Sequence, residues 1–131
     1  MKRYVEEPGT DTVQGLMREG VASTARYSQI EVASALARRC REGAFSEADR
    51  DRALLALHAD FETLVLLELT PAVVSRSVGL LARRTLRAAD ALQLASCLEL
   101  RERLSLPVAL IAWDQRLLGG ARAEGLETRP E

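Results

Sequence analysis

Short apolar runs alternate along this chain with longer stretches whose apolar residues recur every three or four positions, a pattern that predicts an α/β fold. Pro8 and Gly9 break the chain near its start, and Thr10 or Asp11 can cap a helix reaching about Gly20. Val21 to Ala25 reads as a short strand. Ser28 is then expected to cap a helix over residues 29–41, with Ile30, Ala33, Ala37 and Cys40 on its inner face and Gly43 at its end. Ser46-Glu47-Ala48-Asp49 resembles a capping box, and Ala53, Leu54, Leu57 and Phe61 continue at helical spacing. Leu64 to Leu69 is short and aliphatic, as a strand should be, and Pro71 suits the first turn of a helix reaching about Arg84. Residues 86–104 are expected to be helical, with Leu92, Ala95 and Cys97 or Leu98 inward. Pro107 to Trp113 is apolar throughout, which predicts a buried parallel strand. A short helix over 115–124 and an edge strand at Leu126-Glu127-Thr128 complete the order.

Composition adds limits. The 131 residues suffice for one domain, and 47% hydrophobic with 28% charged residues is ordinary for a globular chain. A net charge of −1 rules out a general basic coat for nucleic acid, although a local basic rim is still compatible with it. Cys40 and Cys97 form no metal-ligand spacing and read as buried small residues of a reducing compartment. No signal-like start and no apolar run long enough for a membrane span is present, so a cytoplasmic location is expected.

Chemistry must come from carboxylates, because the chain has no Gly-rich phosphate loop, and its one histidine, His58, reads as structural. Three acids stand apart. Glu31 begins an otherwise core-like helix, Asp90 sits among Ala88, Ala89, Ala91 and Leu92, and Asp114 directly follows the strand ending at Trp113. Each also has a structural explanation: Glu31 as a first-turn acid, Asp90 as a cap or first-turn residue, Asp114 as an N-cap. Taken together, acids in apolar surroundings invite a cation, and a few hard oxygen ligands suit Mg²⁺ or Mn²⁺.

Four segments carry a resemblance. Lys2-Arg-Tyr-Val-Glu-Glu-Pro-Gly-Thr-Asp11, Ser28-Gln-Ile-Glu31-Val-Ala-Ser-Ala-Leu36, Leu86-Arg-Ala-Ala-Asp90-Ala-Leu-Gln-Leu-Ala95 and Ile111-Ala-Trp-Asp114-Gln-Arg-Leu117 occur in that order. With the four in this order the chain resembles the toxin branch of the PIN-domain ribonucleases, the VapC group, over essentially its whole length. The third segment is the most specific, and Trp113 stands where Phe or Tyr is common in the family.

The resemblance implies one PIN-like domain over residues 1–131, a twisted parallel sheet flanked by helices. It implies hydrolysis of RNA phosphodiesters with Mg²⁺ or Mn²⁺ held by Glu31, Asp90 and Asp114. Thr24, Ser28 and Arg87 are candidate supporting or phosphate contacts. It also implies a VapB-like antitoxin partner and a homodimer, for which the apolar positions Leu54, Leu57 and Val73 are the support in the sequence. The family's first strand, central in its sheet and ending in its first catalytic Asp, has no counterpart before Met1-Lys2. Its loss is expected to leave unpaired edges on both neighbouring strands and a chain that is poorly stable and nearly inactive. Two other readings follow from the residues: a non-cleaving binder of RNA or antitoxin, and a helical interaction module in which the three acids are caps.

Overall fold

The computed structural model describes residues 23–129. The helix expected over residues 11–20, the first two positions of the strand beginning at Val21, and the Lys2–Asp11 segment lie outside the described residues. The order is β1 (Ser23–Ala25), α1 (Tyr27–Arg41), α2 (Glu47–Thr63), β2 (Val65–Leu67), α3 (Pro71–Arg83), α4 (Ala88–Leu104), β3 (Ala109–Ile111), α5 (Gln115–Ala123) and β4 (Glu127–Arg129). This is a mixed α/β chain, mostly helical. Its strands form two two-stranded sheets, β1 with β2 and β3 with β4, rather than one continuous sheet among the described residues. The chain falls into two compact units, one ending at Leu66 and the other beginning at Leu67.

In the first unit α1 packs on α2, and Leu36, Leu57 and Phe61 are buried. Two expectations for α1 need correction. Ser28 does not cap it: the helix already includes Tyr27, and Ser28 Oγ instead accepts a hydrogen bond from Thr24 Oγ1 at 2.9 Å. Ile30 is not on the inner face either, being 65% exposed, because Leu36 sets the buried side. The end of α1 behaves as expected. Gly43 takes φ +79°, its N–H donates to Cys40 O and the N–H of Ala44 donates to Arg39 O, the paired bonds of a Schellman cap. Ser46 caps α2 by accepting from Asp49 N at 3.1 Å. His58 is exposed and lies 3.2 Å from Glu62 one turn on, a structural placement.

The second unit is built around α4. Ala91, Leu94, Ala95 and Leu98 are buried, together with Val73 and Leu80 of α3, Leu117 and Ala121 of α5, and Leu126. Thr70 caps α3 by accepting from Val73 N, and Pro71 occupies its first position. β3 and β4 run parallel, with Ala109 beside Glu127 and Ile111 beside Arg129, and α5 makes the crossover a parallel pair requires. β3 is shorter than the expected Pro107–Trp113 strand and is not buried: Ile111 is 43% exposed, since β4 is its only partner among the described strands. Gly125 closes α5 at φ +81° with its own Schellman pair, Gly125 N to Arg122 O and Leu126 N to Ala121 O. That cap delivers Leu126 into the core.

One carboxylate ties the helix ends of this unit. Glu124 accepts from Arg83 Nη2 and Arg84 Nη2, each at 2.7 Å, while Arg101 donates to the backbone oxygen of Gly125 at 3.0 Å. The Arg83 guanidinium first, then that of Arg84, holds the Glu124 carboxyl down at about 2, against an ordinary 4.5. No described helix is long and apolar enough to cross a membrane.

Two outcomes follow for stability. Gly119 lies inside α5 with open space around its missing Cβ, so Gly119→Ala should raise the unfolding free energy by about 0.5–1 kcal/mol. The Glu124 clamp is depressed in the folded state, so its stabilisation is complete above about pH 4.5 and is lost as pH falls toward 2. The full shift corresponds to about 3 kcal/mol, and screening at the half-exposed arginines reduces this to about 1–2 kcal/mol. Glu124→Gln should cost that amount at pH 7 and flatten the stability curve between pH 5 and 2, as urea melts across pH would record.

Candidate active site

Asp114 stands where β3 gives way to α5. It is the N-cap of that helix, its backbone extended at φ −75° and ψ 122°, and its Oδ1 accepts from Leu117 N at 3.0 Å. The position satisfies two constraints at once. The first amides of α5 need an acceptor, and the carboxyl end of a parallel strand is where open α/β sheets keep their ligand sites. Asp114 is exposed, so its carboxylate faces solvent while doing this work.

Asp90 is the third residue of α4. Its Oδ2 accepts from the backbone N–H of Arg87 at 3.4 Å, one half of a capping box, and its neighbour Ala91 is fully buried. Arg87 occupies the N-cap position itself and is exposed. Because α4 packs against both β3 and α5, Asp90 and Asp114 belong to one unit and each begins a helix. Each cap bond engages one carboxylate oxygen, and a carboxylate has two. The second oxygen is the atom that could meet a hard cation such as Mg²⁺ or Mn²⁺.

Glu31 belongs to the other unit. It is the fifth residue of α1 and half-buried, so it is past the first turn where the helix dipole would favour an acid. With Tyr27, Ser28, Ser34 and Arg38 it lines an open depression of about 530 Å³ along α1. Thr24 and Ser28 meet each other through the hydrogen bond already described, joining β1 to α1. Within either unit, no three His, Cys, Asp or Glu side chains of the described residues are grouped as a metal site.

The remaining chemistry is quiet. Burial pushes the Cys97 thiol up to about 11, partly offset by Arg101, so it stays protonated and acts as a small core residue. Leu57 and Val73, two of the positions expected to support a dimer, are each only 2% exposed and serve the core instead. The Arg83–Arg84–Glu124 clamp had no signal in the sequence, because its partners lie 40 and 41 residues apart.

The cap role of Asp114 can be measured apart from any other. Asp114→Ala should lower stability by about 1 kcal/mol, whereas Asp114→Asn should hold it within a few tenths, since Asn caps about as well as Asp. Equal losses in chemical denaturation would show that the bond to Leu117 N contributes nothing. Among known proteins, no family model matches this chain, and neither does any curated protein.

Proposed function

We propose that this chain is a metal-dependent endoribonuclease of the toxin type, acting in the cytoplasm and controlled by a small VapB-like antitoxin. The observation that supports it best is Asp114, an exposed carboxylate at the carboxyl end of β3 with one oxygen engaged in a cap. Asp90 contributes a second carboxylate of the same kind in the same unit, and Glu31 is the third acid of the motif set. All three offer hard oxygen donors, which fit Mg²⁺ or Mn²⁺. When bound, such an ion would neutralise charge on the scissile phosphate and lower the pKa of a water nucleophile. Arg87, exposed at the start of α4, is available for a phosphate oxygen, with the bidentate geometry that arginine favours. With aromatic residues at 4%, base stacking is a minor source of selectivity in this reading.

One observation favours a second reading. Asp90 and Asp114 both accept backbone bonds at helix starts, which is the whole role they would have in a helical interaction module. Asn substitution separates the two, because it keeps the cap and removes the charge. In the nuclease, Asp90→Asn should keep or raise the melting temperature yet reduce Mg²⁺-dependent RNA cleavage by more than the 10–100-fold typical of groups that only orient a ligand. Cleavage should also stop on adding chelator. RNA cleavage that persists at the wild-type rate in Asp90→Asn, or an unchanged melting temperature on adding Mg²⁺ to an inactive wild type, would leave the cap reading in its place.

A further inference from the structure

Arginines are the only basic side chains of the second unit, and the fold accounts for most of them. Arg76 pairs with Glu99, Arg83 and Arg84 with Glu124, and Arg129 with Glu127. Arg101 donates to Gly125 O and Arg122 to Thr128 Oγ1. Arg103 is in the last turn of α4, where the helix dipole favours a cation. Arg87 and Arg116 are left over. Both are exposed, and neither pairs with a carboxylate of the described residues. Each also stands at the wrong end of a helix for a cation, Arg87 at the N-cap of α4 and Arg116 in the first turn of α5.

Packing brings these two cations together. Leu94 Cδ2 of α4 lies 3.4 Å from where a Cβ on Gly120 of α5 would stand. Further along, Arg101 Nη1 reaches the oxygen of Gly125, just past the end of α5, at 3.0 Å. Both contacts advance in the same sense along the chain, so α4 and α5 run parallel and begin at the same end. Asp90 precedes Leu94 by one helical turn, and Arg116 precedes Gly120 by one turn, so each shares a helix face with a contact residue. Arg116 and Asp90 thus stand on facing stripes, about 6 Å of helix rise before the contact. Leu86 packs at the same place, 3.6 Å from the Gly120 Cβ position, and seats Arg87 beside them. Asp114, the cap of α5, completes the group.

We propose that Arg116 and Arg87 form a two-armed clamp on the phosphate backbone of the RNA, each taking a different phosphate. A cation at a helix start is unfavourable to the fold, and an anion held there reverses the effect. A small anion would meet Asp90 and Asp114 at close range, whereas a chain of phosphates reaches past them to both arginines. The planar guanidinium suits this task, because its parallel N–H donors match two oxygens of one phosphate. Such a clamp reads charge and spacing rather than bases, in keeping with the 4% aromatic content. The choice of RNA as the ligand rests on the nuclease reading. Arg116 is the new member of the site, a substrate-positioning residue that holds the backbone beside the two carboxylates.

Fluorescence anisotropy of the full chain with a short labelled oligouridine tests the clamp, in chelator so that no cleavage intervenes. Arg116→Ala should weaken binding about tenfold and reduce the slope of log affinity against log salt by about 0.7, the value for one single-strand phosphate contact. Arg103→Ala, which removes a cation from the opposite end of α4, should change neither. Arg116→Ala should also be at least as stable as wild type in urea, since Ala is the better helix former and the dipole is relieved. Full affinity and slope in Arg116→Ala, an equal loss in Arg103→Ala, or a wild type that binds no oligonucleotide at low salt would each overturn the clamp. Binding that depends on Arg116 but gives no cleavage when Mg²⁺ is supplied would remove the nuclease reading and leave the clamp in place.

Discussion

Helix α4 can be surrounded on three sides because its inner face is made of small residues. Ala91 and Ala95 let α3 and α5 approach closely, and Leu94 and Leu98 fill the space that remains. At Gly120 of α5 an added Cβ would stand 3.4 Å from Leu94 Cδ2, ordinary contact with little room to spare, which shows how closely the two helices meet. Everything else in the second unit hangs on that contact. It fixes the start of α5, hence the place of Asp114, and it fixes the end of α5, hence the reach of Glu124 to the two arginines at the end of α3. A chain poor in aromatics has few other ways to build such a centre. It substitutes many small contacts for a few large ones.

The same packing explains why the acids are ambiguous. A helix that begins beside a buried core must satisfy its first amides locally, and a short carboxylate is among the best acceptors for the purpose. An acid chosen as a cap and an acid chosen as a cation ligand therefore occupy the same place, the first turn of a helix next to a strand end. At Asp90 and Asp114 the cap bond is present and leaves half of each carboxylate for other work. Glu31 differs. It lies beyond the first turn of α1, so neither capping nor the helix dipole explains an acid there, and its half-buried position on the α1 depression is the less ordinary one.

Much of the fold was legible because it is written in local chemistry. Ser46, Gly43 and Asp114 begin or end helices through bonds spanning three to five residues, and Pro71 opens one through its fixed φ; such signals can be read from spacing alone. What could not be read depends on distant partners. Ser28 looked like a cap, but its hydroxyl is taken by Thr24 and the helix starts at Tyr27, two residues earlier than expected. The inner face of α1 turns on Leu36 rather than Ile30, since the position of α2 and not periodicity decides which side is covered. The Glu124 clamp joins residues about forty apart, and no local pattern marks it.

β3 carries the sharpest disagreement between composition and surroundings. Its run from Val108 to Trp113 has no polar residue, the habit of a strand covered on both faces and paired on both edges. Among the described residues it is paired along one edge only. Ala112 N donates to Arg129 O, so the amides of Leu110 and Ala112 turn toward β4 and those of Ala109 and Ile111 turn the other way. An edge strand usually protects itself with charge or a bulge. β3 has neither, and Ala109 and Ile111 stand exposed on it. The residues that a sheet interior would require are thus present in a strand with one neighbour, and Asp114 sits at the end of that strand. Whatever satisfies the second edge of β3 would also set the surroundings of Asp114, so the stability of the strand and the chemistry of its terminal carboxylate are one question rather than two.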